Sequence, residues 1–213
     1  MTENYPLEHP RAWDVPWREP HVRGPYIRMH SGRKMHLLDP EWYLPDIAYH
    51  AAGVHRYTGG SRFTIGQHMV VGAWMAERFY PTAKQLPAKY VGHDAPESVY
   101  GDMSSPLKRL CPEYCALLAK GEDSFQRWTG VRWDDDPLVK EVDLRMWLTE
   151  RLVVFEHAAE SGVDMTEDYA GTLEPFPLTV DEMFRLFRPW HSAVVESTYL
   201  KEFRRLLPHM EGK

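Results

Sequence analysis

Within sixteen residues, from His93 to Lys108, the chain carries His93, Asp94, Glu97, Asp102 and Lys108. Neighbouring imidazole and carboxylate are ligands for a divalent transition metal, and a further carboxylate with a lysine nearby suits attack on an anionic ester. The preceding stretch reads as a helix that enters this site, over about Pro87 to Tyr100. On such a helix His93 and Glu97 are four apart and share a face, while Asp94 points roughly 100° round from His93. One metal is then gripped by His93 and Asp94, with Glu97 left free above it. Gly101 ends the helix, so Asp102 and Lys108 are expected on a turn folding back over its C-terminal end.

A His-Asp pair alone is weak evidence, because the dipeptide recurs by chance. The pattern around it is more specific. His93-Asp94-Ala95-x-Glu97, then Gly101-Asp102, then Pro106-Leu107-Lys108 resembles the central motif of the HD-domain phosphohydrolases, in particular their 5′-deoxynucleotidase branch and related phage enzymes. The resemblance covers roughly residues 25 to 155. It implies an all-α fold, a single HD-domain bundle. His68, within Gln67-His68, stands where the family has its first metal-binding histidine, and Asp143 stands in order for the last metal ligand. Arg56 matches the arginine that approaches the substrate phosphate, and Tyr57 stands where that branch has an aromatic residue beside the sugar. The spacing from Arg56 to His68 is a little shorter than in the bacterial nucleotidases.

Taken alone, His68 has a plainer reading as a core histidine, since it lies on a stripe with Ile65, Val71 and Met75. Asp143 shares a stripe with Val139, Met146 and Glu150 and is expected to point inward, where a carboxylate needs a partner or a metal. Glu150, two turns on, is expected either to support the metal ligands from behind or to pair with an arginine. The loop from His55 to Phe63 holds Arg56, Arg62, Gly59 and Gly60. Its glycines allow a close turn around an anion, although such arginines are by default solvated.

His68, His93, Asp94 and Asp143 make a nitrogen and oxygen site for one divalent transition metal, Zn, Mn, Co or Fe, with Mg expected alongside the substrate phosphates. Glu97 is the candidate to handle the proton of water or leaving group, and Asp102 to orient water or Glu97. Arg56 and Lys108 would hold phosphate oxygens, with Arg62 as a helper. The expected substrate is a small-molecule deoxynucleotide cleaved at its 5′-phosphate. A deoxynucleoside triphosphate, dATP among them, losing triphosphate is the first expectation, since Arg56, Arg62, Lys108 and Arg109 could together offset three phosphates. A monophosphate losing phosphate is the alternative, and a nucleotide-sensing domain without catalysis is the non-enzyme class.

Composition limits the rest. With 213 residues, 43% hydrophobic and 26% charged, the chain suits one folded domain with a substantial core. A net charge of −6 argues against general nucleic-acid binding. Cys111 and Cys115, the two cysteines, resemble neither a disulfide framework nor a zinc ribbon. Residues 1 to 20 are polar and proline-containing, and no run approaches a membrane span. A cytoplasmic protein is expected, in the host cytoplasm if phage-encoded, with no membrane association and a homo-oligomeric state.

The elements that must position these residues can be placed in order. Residues 1–24 are expected to form an extended arm anchored by Trp13 and Trp17, and 25–213 the catalytic domain of six or seven helices. A small N-terminal β-hairpin flanks His30-Ser31-Gly32-Arg33. Helices follow from Pro45 to near His55 and from Thr64 to Tyr80, then the motif helix. Another runs from Cys111 to Gly130, burying Leu110, Tyr114, Leu117 and Leu118. Asp134-Asp135-Asp136-Pro137 opens a helix that reaches about Ala158, with carboxylates at its positive end and Pro in its first turn. A loop spans Gly162 to Pro177, Thr179-Val180-Asp181-Glu182 is a capping box, and a last helix follows Pro189 to near Leu207. The C-terminal quarter carries no family signal and is the segment expected to set oligomeric state.

Overall fold

The computed structural model describes residues 24–134, 136–155, 171 and 173–210. The expected N-terminal arm with Trp13 and Trp17, the last turn of the helix to Ala158 and part of the 162–177 loop lie outside the described residues. The described chain is mostly helical. Six α-helices of eight residues or more and three short ones are joined to one two-stranded hairpin.

The hairpin pairs β1 (Tyr26–Arg28) with β2 (Lys34–His36) antiparallel, Ile27 opposite Met35. Gly32 turns the chain at φ +85°, a conformation that side chains rarely adopt. The hairpin is fastened to α1 (Leu44–Ala51) by Asp46, whose carboxylate accepts from Ser31 backbone nitrogen at 2.8 Å and Ser31 Oγ at 2.6 Å. α1 stops short of His55. The chain leaves it through Ala52 and Gly53, and His55 instead forms an antiparallel bridge with Thr64. That bridge closes the 56–63 loop at its base, where Arg56 N donates to the Phe63 carbonyl at 2.9 Å.

α2 (Ile65–Phe79) is the axis of the molecule. Thr64 caps it by accepting from Gln67 N, and every residue from Ile65 to Ala73 is buried. It packs against α3 (Leu86–Tyr90), α7 (Pro137–Val154) and α9 (Ser192–Leu206). α3 comes very close at Gly72, where an added Cβ would lie 1.9 Å from Tyr90 Cε1. His68 is one turn before Gly72 on the same face, so this approach carries the Tyr90 hydroxyl to the imidazole.

The expected motif helix is not continuous. α3 ends at Tyr90, residues 91–96 form consecutive turns, and α4 (Glu97–Tyr100) is one turn long. Between them the backbone bonds fall mostly at i to i−3, as in Ala95 N to Gly92 O and Glu97 N to Asp94 O. Pro96 has no N–H to give and Gly92 is a poor helix former, so the regular ladder lapses there. Gly101, at φ 90° and ψ 145°, reverses the chain as expected. α5 (Ser105–Lys108) follows, and its Lys108 side chain reaches back to Glu97 on α4.

α6 (Pro112–Thr129) ends at a left-handed Gly130. It buries Leu118, whereas Leu110 precedes the helix and is 78% exposed, contrary to the expected stripe. Asp136 caps α7 by accepting from Leu138 N, with Pro137 in the first turn. The capping box of Thr179 and Glu182 opens α8 (Val180–Phe187). Gln67, fully buried on α2, donates to the Leu186 and Arg188 carbonyls and accepts from Trp190 N, which ties the link from α8 to α9 onto the axis. α9 buries Val195, Tyr199 and Phe203 and packs on α1 and α2. Its apolar face therefore closes the core of its own chain. No helix among the described residues is long and apolar enough to cross a membrane.

Candidate metal centre

Three elements meet at one point. α2 supplies His68, the turns after α3 supply His93 and Asp94, and α7 supplies Asp143. One ligand atom from each of the four lies within 4.8 Å of the others. His68 Nε2 stands 3.0 Å from Asp143 Oδ1 and 3.7 Å from Asp94 Oδ2. His93 Nε2 stands 3.3 Å from Asp94 Oδ1 and 3.7 Å from Asp143 Oδ1. Donors gripping one ion at about 2.0–2.2 Å are themselves roughly 3–4 Å apart, so the spacing suits a single divalent cation.

The protons are arranged for the same purpose. His93 Nδ1 bonds the Tyr90 carbonyl at 2.7 Å, and because a carbonyl only accepts, Nδ1 carries the hydrogen. In the neutral ring that leaves a lone pair on His93 Nε2, which is buried and has no hydrogen-bond partner among the described residues. A buried polar atom left unpaired is uncommon, and a ligand position explains it. His68 is oriented from behind in a similar way, its Nδ1 in a very short contact with Oε1 of Glu150. Its Nε2 faces the cluster, 2.8 Å from the Tyr90 hydroxyl. Burial lowers the basicity of His68 and so does Arg56, but Glu150 and Asp143 outweigh them and raise its pKa to about 9. These four side chains can therefore hold a divalent metal, with Zn, Mn, Co and Fe all compatible with two nitrogens and two oxygens.

The cluster forms part of the floor of an open cavity of about 630 Å³. Asp94 and Asp143 line it, the latter with 42% of its side chain exposed. Asp143 thus faces the cavity rather than the core, as its place on the α7 stripe had suggested. Glu97, Asp102, Lys108 and Arg109 line the same space, with Met103, Leu144 and Trp147 as an apolar wall.

Glu97 is not free. Its Oε1 accepts from Lys108 Nζ at 2.5 Å, because the reversal at Gly101 lets Lys108 reach back to α4 and a buried carboxylate needs a counter-ion. Burial raises the Glu97 pKa well above the ordinary value, Asp94 adds to the rise, and Lys108 opposes it. Asp102 acts on Glu97 as a further like charge.

Arg56 and Tyr57 also line the cavity, with Nε and Nη1 of Arg56 and the Tyr57 hydroxyl engaged by carboxylates. Arg56 Nε donates to Glu150 Oε2 at 3.1 Å and Nη1 to Asp94 Oδ2 at 3.3 Å. The Tyr57 hydroxyl donates to the same Glu150 oxygen at 2.8 Å. Tyr57 and Thr58 both adopt left-handed backbone, φ 60° and 55°, which is costly for a β-branched residue such as Thr58 and marks a loop held by its contacts. Arg62 is exposed and lies outside the cavity lining.

One residue of the centre, Tyr90, was not assigned from the sequence. Tyr90 is fully buried, touching His68 Nε2 and, at 3.4 Å, Asp143 Oδ1, and its position three before His93 was the available signal. Glu150, expected behind the metal ligands or paired with an arginine, contacts both His68 and Arg56, partners that lie 82 and 94 residues away and had no local signal.

What these observations define is a helical protein with a two-histidine, two-aspartate cluster able to hold a metal at the floor of a cavity. No family model matches the chain. It is similar to an uncharacterized protein of Rhodobacter capsulatus, at 35% identity over 129 residues, which covers 57% of this chain and 58% of the relative. The chain thus spans less than two thirds of that relative's length.

Proposed function

We propose that the protein is a metal-dependent phosphohydrolase that cleaves the 5′-phosphate ester of deoxynucleotides. The observation that carries this is the four-ligand cluster opening into a cavity that also presents a buried, high-pKa carboxylate and two cations, Lys108 and Arg109. The resemblance of the His93 to Lys108 stretch to the HD-domain phosphohydrolases supplies the choice of substrate class.

His68, His93, Asp94 and Asp143 would hold the metal. When bound, the ion supplies Lewis acidity, offsetting negative charge on the phosphoryl oxygens and acidifying water. Glu97, with its proton affinity raised, would take or return the proton of that water or of the leaving oxygen. Lys108 and Arg109 would bind phosphate oxygens, and Lys108 would exchange its bond to Glu97 for one to substrate. Met103, Leu144 and Trp147 give the nucleoside an apolar wall.

A triphosphate substrate, with dATP among the candidates, would draw on both cations and on the volume of the cavity. Hydrolysis of a monophosphate is the second reading, and a specific observation favours it. Of the four cations that would offset a triphosphate, Arg62 lies outside the lining and Arg56 is engaged by two carboxylates. The test is to incubate metal-loaded protein with the four dNTPs, the four dNMPs and their ribonucleotide counterparts, then separate products by chromatography. Deoxynucleoside with triphosphate, or with phosphate, identifies the reaction. No product from any nucleotide contradicts the proposal and favours a nucleotide sensor.

A further inference from the structure

Behind the cluster lies a fully buried carboxylate, Glu150, on α7 two turns beyond Asp143. Burying it is unfavourable unless its lone pairs are met. They are met by three groups from two other segments: His68 Nδ1 on Oε1, and Arg56 Nε with the Tyr57 hydroxyl on Oε2. Arg56 then continues to Asp94 Oδ2 through Nη1. A single carboxylate is therefore joined directly to one metal-ligating side chain and, through one guanidinium, to a second.

We infer that Glu150 is the positioning residue of the metal centre, and that Arg56 is its strut to Asp94 rather than a reader of substrate phosphate. Glu150 keeps the His68 hydrogen on Nδ1, which turns the Nε2 lone pair toward the cluster. It also fixes the plane of the ring. An acceptor behind a ligating histidine orients it and strengthens it as a donor, and loss of such a partner typically lowers metal affinity about 10–100-fold. Arg56 draws Asp94 to the same framework, whereas the Tyr57 hydroxyl bonds Oε2 alone and not the oxygen on His68. The loop base at the His55–Thr64 bridge sets the position of Arg56 for this task. The role stands on the metal centre and does not depend on which ester is cleaved.

A merely structural Glu150, serving to clip the 56–63 loop to α7, would change folding stability and leave metal binding alone. The two are separated by titrating Co²⁺ into the metal-stripped full-length chain and following both affinity and the visible d–d absorption of the bound ion, beside thermal melts of the metal-free proteins. Glu150→Gln is expected to bind Co²⁺ about 10–100-fold more weakly, with altered d–d bands, while still melting cooperatively. Tyr57→Phe, which removes a bond to Oε2 but none to His68, is expected to retain the wild-type spectrum. Wild-type affinity and spectrum in Glu150→Gln overturn the role, and so does an equal loss in Tyr57→Phe. If Glu150→Gln does not melt as a folded protein, Arg56→Lys reads the link from its other end. It is expected to weaken Co²⁺ binding severalfold, and unchanged affinity overturns the role. A wild-type chain that takes up no Co²⁺ overturns the metal centre itself, an outcome distinct from wild-type binding that Glu150→Gln leaves untouched.

Discussion

Lys108 Nζ lies 2.5 Å from Oε1 of Glu97, which closes a bond between a buried carboxylate lining the cavity and a cation that arrives eleven residues later in the chain. Under the proposed function the pair would hold Glu97 in readiness, and a substrate phosphate would compete for the ammonium and release Glu97 to the proton.

Removing the counter-ion therefore has a directional effect on pH dependence. Lys108 lowers the Glu97 pKa against burial and Asp94, so Lys108→Met raises it further. The acidic limb of the kcat/KM profile should move to higher pH, and kcat/KM at its plateau should fall by about 2 kcal/mol, roughly thirtyfold, for the lost charge-assisted contact. Steady-state kinetics across pH 5 to 9 check both. An unmoved limb separates Lys108 from Glu97.

Glu97→Gln should abolish most turnover while the metal content is retained, because Glu97 stands outside the ligand cluster. Parallel elemental analysis and activity measurement test this. Loss of metal in the variant would make Glu97 a ligand.

His68 predicts a pH signature in the metal-free protein. Its folded pKa is about 9 against an ordinary 6.5, so its contribution to stability is fully present below about pH 6.5 and is lost as pH rises toward 9. Thermal melts of metal-stripped protein should show a falling Tm across that window, and His68→Gln should flatten the fall. Metal binding near pH 7.5 should also release a proton from His68, seen as a dependence of the calorimetric enthalpy on the ionisation enthalpy of the buffer.

Gly72→Ala tests how the axis helix admits Tyr90. A Cβ there meets the ring at 1.9 Å, so the ring or α3 must shift. A destabilisation of about 1–3 kcal/mol is expected from overpacking, together with weaker metal binding as the Tyr90 carbonyl moves away from His93 Nδ1. Denaturant unfolding and a metal titration measure the two effects.

Features encoded by a few adjacent residues were legible in the sequence. Thr179 and Glu182 form the capping box, Asp136 caps before Pro137, and Gly101 and Gly130 terminate their helices. The four candidate ligands, taken from the order of the motif, come together at one point. Features set by tertiary partners were not legible. The helical spacing of His93 and Glu97 looked continuous, but Pro96 withholds an N–H and the chain crosses by turns. The pairing of Arg56 with Asp94 and Glu150 had no local signal, because those carboxylates are 38 and 94 residues away. Leu110 looked like part of a buried stripe, yet it precedes the helix that would have turned it inward.

The central claim is that these four side chains bind one divalent metal, and its most direct measurement is elemental analysis of the purified full-length protein beside His93→Ala and Asp94→Ala. The wild type should carry close to one divalent transition metal per chain, and each variant, folded by its circular dichroism, should carry little. Variants that retain as much metal as the wild type would contradict the account.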